Sequence, residues 1–369
     1  MSINEIIAQF SEISLHPSIK LSEYKKNGLK VIGVLPCHVP EEIIHACGAV
    51  PFGILGMEAK AVKAKEYFPS FFCSILTTSM EMLLSGMFDS LDGIVLTDLC
   101  DSLKSFSQNA MLSKKNINFI PLSLPINTVS IASKAYFESQ MKVFSKKLSS
   151  ITGINLTSER LKESIEKYNL NKKLLNDFLA LTRNHSKTIT SLVRASVIKA
   201  CYFLTVEEAN QLLCQLNAEL EKLPNEKSGL KIAVTGILFD NPETLQMLDN
   251  NGITIVASQV LYETNKTDNP CSQTDLSGIT ERYFTLNSSL LGQRQFLRKA
   301  SLDSLINRYH PEGVIFAMTK FCDPEEYDFP LIKKSIQNQD IPFVVLEMNK
   351  GSESLGKNQT IIDALGEMI

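Results

Sequence analysis

The chain has 369 residues and a formal net charge of −3, with 44% hydrophobic and 21% charged residues, which is ordinary globular composition. The lack of a basic excess argues against general nucleic-acid binding, and no apolar run is long enough to cross a bilayer. Residues 1–10 lack the basic start and apolar core of a signal peptide, so we expect a cytoplasmic protein of two or three domains.

Short apolar runs alternate with helical patterns in the first third of the chain. A helix is predicted to begin at Pro40, with Glu41 and Glu42 near its positive end. A second helix is predicted to follow Cys73. Strands are predicted at 31–35, 50–55, 94–96 and 119–122. Strands that alternate with helices predict a parallel sheet.

The middle of the chain is predicted to be helical, and strand signals return afterwards. Leu161, Ile165, Tyr168 and Leu175 have helical spacing. A polar stretch at 224–229 reads as a linker. Later strands are predicted at 230–236, 253–257, 314–317 and 343–347. The predicted domains are an N-terminal helix with a first α/β domain (1–129), a helical segment (130–226) and a second α/β domain (227–369).

Two of the eight cysteines occupy equivalent places in the two α/β domains. Cys100 and Cys322 each follow a short apolar strand, and an aspartate comes directly after each. Ligands of open α/β sheets bind beyond the carboxyl ends of the strands. If the domains face each other across a cleft, both thiols can point into it. Cys73 precedes a predicted helix, whose N-terminus favours the thiolate form.

These three thiols predict a metal centre that is assembled from distant loops. No Cys-x-x-Cys pair occurs, so the local spacing of zinc ribbons and ferredoxins is absent. Three thiolates can bind three irons of an iron–sulfur cluster and leave the fourth iron to a non-protein ligand. The competing interpretation is core packing, because free cysteine is among the most buried residue types.

The remaining cysteines and several acids are given simpler interpretations. Cys47, Cys201 and Cys214 lie in helical patterns and are predicted to fill core, whereas Cys271, in a polar loop, is predicted to be incidental. The acids at 325, 326 and 328 are predicted to form a solvated helix start. No glycine-rich dinucleotide or P-loop motif occurs, so ATP binding by a P-loop is not expected.

Four stretches of the chain resemble the 2-hydroxyacyl-CoA dehydratase family, and its β subunit in particular. They are residues 40–48 (PEEIIHACG), 67–75 (YFPSFFCSI), 99–103 (LCDSL) and 320–328 (KFCDPEEYD). The same superfamily contains benzoyl-CoA reductase and 2-hydroxyglutaryl-CoA dehydratase subunits. The resemblance runs over nearly the whole chain with the motifs in order, and residues 320–328 carry its most specific part.

The resemblance implies two Rossmann-like α/β domains with a helical part, and a cluster site at the cleft between the domains. It implies one 4Fe-4S cluster, with Cys73, Cys100 and Cys322 as ligands. It also implies an αβ heterodimer from anaerobic amino-acid fermentation, with the acyl-CoA substrate mainly on the α side, and an ATP-dependent iron–sulfur activase as electron donor. One electron added to the thioester would give a ketyl radical that expels the α-hydroxyl and yields an enoyl-CoA.

Some questions stay open at this level. Cys37 is a further candidate ligand, although a core thiol at a strand end is the preferred interpretation. The helix dipole accounts for Glu41 and Glu42, but either acid facing the cleft can handle a proton. The alternatives to a lyase subunit are a reductase component of the same superfamily, a non-catalytic electron-carrying or structural subunit, and a metal-free binding protein. The acyl group is not identified.

Overall fold

Two parallel sheets, each with four strands, frame the part of the chain that the computed structural model describes, namely residues 1–35, 38–54, 60–128, 130–226, 229–286, 295–350 and 355–369. The first sheet contains β1 (Lys30–Val34), β2 (Ala49–Gly53), β3 (Gly93–Thr97) and β4 (Phe119–Leu122). The second contains β5 (Leu230–Gly236), β6 (Ile253–Val260), β7 (Gly313–Thr319) and β8 (Phe343–Met348). All eight strands lie where the sequence predicts them.

Most strands are apolar because they are buried between the elements that pack on the sheets. All residues of β2 and β3 are buried, as expected for parallel strands between two helical layers. The register pairs Val34 with Val95 in the first sheet and Ile315 with Val344 in the second. The two sheets have the same strand order, β2-β1-β3-β4 and β6-β5-β7-β8. The α/β architecture with two Rossmann-like units is therefore confirmed.

The helices fall into three groups along the described chain. Before and within the first sheet are α1 (Ile3–Leu15), α2 (Pro17–Lys26), α3 (Glu41–Ala46), α4 (Ser74–Leu84) and α5 (Asp101–Ser113), with a short 3-10 helix at Lys63–Glu66. The middle contains α6 (Ile131–Thr152), α7 (Ser158–Thr182), α8 (Ser191–Ala200) and α9 (Val206–Leu220). The second sheet is accompanied by α10 (Pro242–Asn250), α11 (Leu261–Thr267), α12 (Leu276–Thr285), α13 (Gln295–Tyr309), α14 (Asp323–Gln337) and α15 (Leu355–Met368).

The helical middle of the chain packs against helices of the first third. Helix α7 packs against α9 and α3, and α1 packs against α8 and α9. The predicted apolar positions Leu161, Ile165, Tyr168 and Leu175 are buried. Within the described ranges, no helix combines the length and apolarity that crossing a membrane requires.

The strand order places the loops that follow β3 and β7 at one edge of each sheet. In the order β2-β1-β3-β4 the direction of chain progression reverses between β1 and β3, and in the second sheet it reverses between β5 and β7. The crevice outside such a reversal is the usual ligand site of an open α/β sheet. Cys100 follows β3 and Cys322 follows β7, so both cysteines lie at such a point.

Candidate functional site

Each of the three predicted cysteine ligands is the residue that caps a helix at its N-terminus. Cys73 precedes α4, Cys100 precedes α5 and Cys322 precedes α14. The first backbone N–H groups of a helix have no partner within the helix, and the helix dipole adds positive charge there. All three sulfurs therefore lie where negative charge is stabilised.

The three cysteines line one pocket, which we call the cysteine pocket. Its empty volume, including solvent at its mouth, is about 600 Å³. Its apolar walls come from the carboxyl ends of strands in both sheets, namely Leu35 after β1, Ile237 after β5 and Leu261 after β6. Tyr262 and Pro324 also line it. The fold thus brings together three thiols that are separated by up to 249 positions in the sequence (322 − 73 = 249).

Backbone N–H groups point at the sulfurs. The N–H of Leu103 donates to Cys100 Sγ at 3.4 Å. Hydrogen bonds from the first turn of α4 lower the pKa of Cys73, and the N–H of Glu325 has the same effect on Cys322, although in both cases burial outweighs them. Such donors stabilise a thiolate and tune the potential of a cluster that it binds.

Burial keeps the three thiols protonated when nothing is bound. It raises the pKa of Cys73 to about 12 and also raises the pKa values of Cys100 and Cys322. The sulfurs also interact with one another, since charge on Cys73 and on Cys100 raises the pKa of Cys322 further. A bound metal would displace the protons, because thiolate is the ligating form.

The donor set fits a cluster better than a single ion. Among the described residues, no group of three or more His, Cys, Asp or Glu side chains has the arrangement of a metal-ion site. A cluster does not need its thiolates to meet at one point, because each thiolate binds a different iron. The described lining of the pocket offers three thiols and no histidine, which suits a cluster with one iron not bound by cysteine.

Glu325 lies at the start of α14 and is fully buried, so its prediction as a solvated acid is wrong. Its carboxylate accepts the N–H of Ile237 at 2.6 Å and the N–H of Thr319 at 2.5 Å. These bonds tie α14 to the carboxyl ends of β5 and β7. They help to set the position of Cys322, because the cysteine precedes this turn. Burial raises the pKa of Glu325 to about 7, against the opposing charge of Arg298.

Asp328 is also buried, contrary to the same prediction, whereas Glu326 is exposed as predicted. The carboxylate of Asp328 accepts from Arg298 at 2.9 Å, and Arg298 has no exposed surface. Arg298 also donates to Thr235 of β5 at 3.2 Å. The cluster of acids at 325–328 is therefore mainly an internal support of the second domain, because the first turn of α14 faces the sheet.

Glu41 and Glu42 are buried in ion pairs, so the helix dipole is not the main reason for their position. Glu41 accepts from Lys266 at 2.6 Å, and Glu42 forms a bidentate pair with Arg282. Burial alone would raise the pKa of Glu42, but the Arg282 guanidinium holds it at about 2. Both acids line a second cavity, not the cysteine pocket. A proton-transfer role for either acid stays a prediction.

The other cysteines divide between confirmed and wrong predictions. Cys47 and Cys201 are buried, as predicted. Cys214 is exposed, because it lies on the outer face of α9, opposite the buried Leu213 and Leu216. Cys271 is buried, and its sulfur contacts the Arg282 guanidinium at 3.2 Å, so it is not an incidental loop residue. Cys37 lies outside the described residues.

Besides Glu41 and Glu42, the second cavity contains charged residues that the sequence interpretation missed, and we call it the charged pocket. Its charged lining residues are Glu41, Glu42, Lys172, Lys266, Asp268 and Arg282. A signal for Lys172 was present in the sequence. The residue continues the spacing of Leu161, Ile165, Tyr168 and Leu175, so it is a lysine at a core-facing position of an amphipathic helix.

The fold and the cysteine pocket define a class: two-sheet α/β proteins with a three-thiol site between the carboxyl edges of the sheets. Residues 36–369 match the family described as 2-hydroxyglutaryl-CoA dehydratase, D-component. The chain belongs to this family of 2-hydroxyacyl-CoA dehydratase β subunits, as the resemblance of its cysteine motifs predicts.

Proteins similar to the chain over its full length support this assignment. It is 34% identical to the (R)-phenyllactyl-CoA dehydratase beta subunit of Clostridium sporogenes over 98% of the chain and 97% of that protein. It is 33% identical to the (R)-2-hydroxyglutaryl-CoA dehydratase beta subunit of Acidaminococcus fermentans over 100% of both chains. A more distant relative is a benzoyl-CoA reductase subunit of Thauera aromatica, at 25% identity over 91% of this chain and 89% of that protein.

Proposed function

We propose that the chain is the β subunit of an iron–sulfur (R)-2-hydroxyacyl-CoA dehydratase, with one 4Fe-4S cluster held by Cys73, Cys100 and Cys322. The proposal rests on the positions of the three thiols. Each lies at a helix N-terminus, and all three line one pocket between the two sheets. Other buried thiols, such as Cys201, lie elsewhere in the chain.

When bound, the cluster would supply one-electron transfer at low potential, which the elimination of water from a 2-hydroxyacyl thioester requires because its β-hydrogen is not acidic. The residues of this chain would hold and tune it. The cysteines would bind iron, and the N–H groups of the three helix starts would stabilise their charge. Leu35, Ile237 and Leu261 limit the access of water. The buried Glu325 fixes the turn that follows Cys322.

The partners follow from the same proposal. Relatives are named as beta subunits, which supports an α subunit as the stable partner of this chain. The acyl-CoA substrate would bind mainly on the α side. A separate ATP-dependent activase would donate the electron, in keeping with the absence of a P-loop motif in the sequence. The setting would be the cytoplasm of an organism that ferments amino acids without oxygen.

The ligand assignment is tested by anaerobic reconstitution of the chain with iron and sulfide. The wild-type chain should bind about four irons, and Cys73→Ser, Cys100→Ser and Cys322→Ser should each lose most of the iron and the visible absorption. Cys201→Ser is the matched control, because Cys201 is equally buried but lies outside the pocket. Full iron content in Cys322→Ser would contradict the assignment.

The activity is tested by adding the α subunit, activase, ATP, a reductant and a 2-hydroxyacyl-CoA to the reconstituted chain. Enoyl-CoA should form, and Cys322→Ser should reduce turnover in step with its iron content. If iron is lost but turnover persists, the subunit is structural. If iron binds but no enoyl-CoA forms from any of several hydroxyacyl thioesters, the lyase proposal fails while the cluster proposal stands.

A reductase component is the second candidate, and the similarity to the benzoyl-CoA reductase subunit of Thauera aromatica favours it. The same assay with an aryl-CoA substrate separates the two. A reduced ring product without dehydration of hydroxyacyl thioesters would assign the chain to the reductase branch. The higher identity to dehydratase subunits, 33–34% against 25%, supports the lyase.

A further inference from the structure

The charged pocket is a cavity that is separate from the cysteine pocket. Its empty volume, including solvent at its mouth, is about 570 Å³. The described linings of the two pockets share no residue. Helix α11 lies between them, since it lines one pocket through Tyr262 and the other through Lys266.

Two of the acids in the charged pocket are already neutralised by cations of the chain. Glu41 is paired with Lys266 at 2.6 Å, and both side chains are about nine-tenths buried. Both oxygens of Glu42 accept from Arg282, whose side chain is 12% exposed. These two ion pairs line the pocket. Their charges are already compensated, so they are not the groups expected to bind an ionic ligand.

Lys172 stands apart from these pairs. It is 7% exposed, and its ammonium has one hydrogen bond to the described residues, a long one of 3.4 Å to the backbone carbonyl of Asn265. The nearby carboxylates of Glu42 and Asp268 act on Lys172 electrostatically, but the Glu42 oxygens accept their hydrogen bonds from Arg282. An ammonium has three donors, so donors directed at the cavity remain available. Burial of the lysine and the nearby Arg282 charge lower the pKa of Lys172 to about 8, against the opposing charges of Glu42 and Asp268.

Apolar side chains also line the pocket. Phe137 of α6, Ile279 of α12 and Leu286 line it together with Val39. A buried cation and apolar side chains in one cavity complement a molecule with one anionic group and a hydrocarbon body.

We propose that the charged pocket binds a small organic carboxylate, with the carboxylate on Lys172 Nζ and the hydrocarbon body against Phe137, Ile279 and Leu286. The proposal does not depend on the iron–sulfur cluster. It assigns to this chain a binding site of its own, apart from the cysteine pocket. Occupation of the site would give the Lys172 ammonium a carboxylate at hydrogen-bond distance.

Calorimetric titration of the full chain, with and without reconstituted iron, tests the proposal. The probes are phenylacetate, the similarly sized cation phenethylamine, and inorganic phosphate. Phenylacetate should bind saturably at one site per chain, and the other two should bind at least tenfold more weakly. The proposal is overturned if phenylacetate shows no saturable binding, or if phosphate or phenethylamine binds equally well.

Two neighbouring lysines of α7 provide a matched pair of variants. Lys172→Met should weaken phenylacetate binding at least tenfold. Lys173→Met should leave the affinity within about twofold, because Lys173 is exposed and paired with Asp177 on the surface. Equal affinity in Lys172→Met and the wild-type chain would refute the role of Lys172.

A measurement on the wild-type chain covers the case in which Lys172→Met does not fold. Brief acetylation with acetic anhydride, followed by mass spectrometry, reports the reactivity of each lysine. Saturating phenylacetate should reduce the labelling of Lys172 at least fivefold and leave Lys173 unchanged. Unchanged labelling of Lys172 would overturn the proposal.

Discussion

The buried pair of Glu42 and Arg282 gives a quantitative prediction about stability. Glu42→Gln keeps the shape of the side chain and removes its charge, which leaves the Arg282 guanidinium buried without a counter-ion. The pKa of Glu42 falls from 4.5 to about 2 in the folded chain. One pKa unit corresponds to about 1.36 kcal/mol, so the free energy of unfolding at pH 7 should fall by roughly 3 kcal/mol. This agrees with the cost of about 3–5 kcal/mol for removing one partner of a buried pair.

Glu207 supplies a control with a similar pKa in a different environment. Its hydrogen bond with His45 and its contact with Lys167 also hold the pKa at about 2, but 47% of its side chain is exposed. Solvent screens such a pair, so Glu207→Gln should cost less than about 1 kcal/mol. Urea denaturation followed by circular dichroism measures both variants against the wild-type chain.

The contribution of Glu42 to the free energy of unfolding depends on pH in a definite direction. The folded-state pKa of Glu42 is lowered, so its contribution is complete above the unfolded value of 4.5 and is lost as the pH falls through about 2. The difference between the wild-type chain and Glu42→Gln should therefore be constant near neutral pH and shrink in acid. If both variants cost the same at pH 7, or if the Glu42→Gln difference grows in acid, the reasoning from burial is refuted.

Two further predictions concern backbone strain and a second buried pair. Gly236→Ala should destabilise the chain by about 2–4 kcal/mol, because φ is +156° and a Cβ would lie 2.5 Å from the backbone oxygen of Ala317. Gly28→Ala, at φ +73° with open space, should cost only about 1 kcal/mol, and similar urea midpoints for the two variants would disprove the packing argument. Arg194→Met should cost about 3–5 kcal/mol, because it leaves Glu263 buried without the two hydrogen bonds of 2.7 Å that it now accepts. Thermal melting checks this, and a loss below about 1 kcal/mol would count against it.

The sequence predicts the elements of this fold well because each carries a local signal. The inner strands are buried on both faces, so they appear as continuous apolar runs, and all eight strands were predicted. The alternation of strands and helices predicts parallel sheets. The expected convergence of Cys73, Cys100 and Cys322 agrees with the pocket that they line, because strand ends in such sheets gather at one edge.

The failures concern long-range contacts. Glu325 is buried because its carboxylate accepts the N–H groups of Ile237 and Thr319, and Asp328 is buried because it pairs with Arg298. No pattern in the sequence indicates these partners. The same holds for Cys271, whose buried environment depends on Arg282. The sequence does not distinguish an acid at a helix start that faces water from one that faces a buried cation.

The amino-acid sequence by itself determined the two parallel sheets, the helical middle of the chain and its family, because periodicity, turn residues and short motifs are local properties. Only the tertiary structure decided which acids are buried in ion pairs and that Lys172 faces a cavity. The physical reason is that a buried charge is tolerated or costly according to what lies within a few ångströms of it, and those neighbours come from distant parts of the chain.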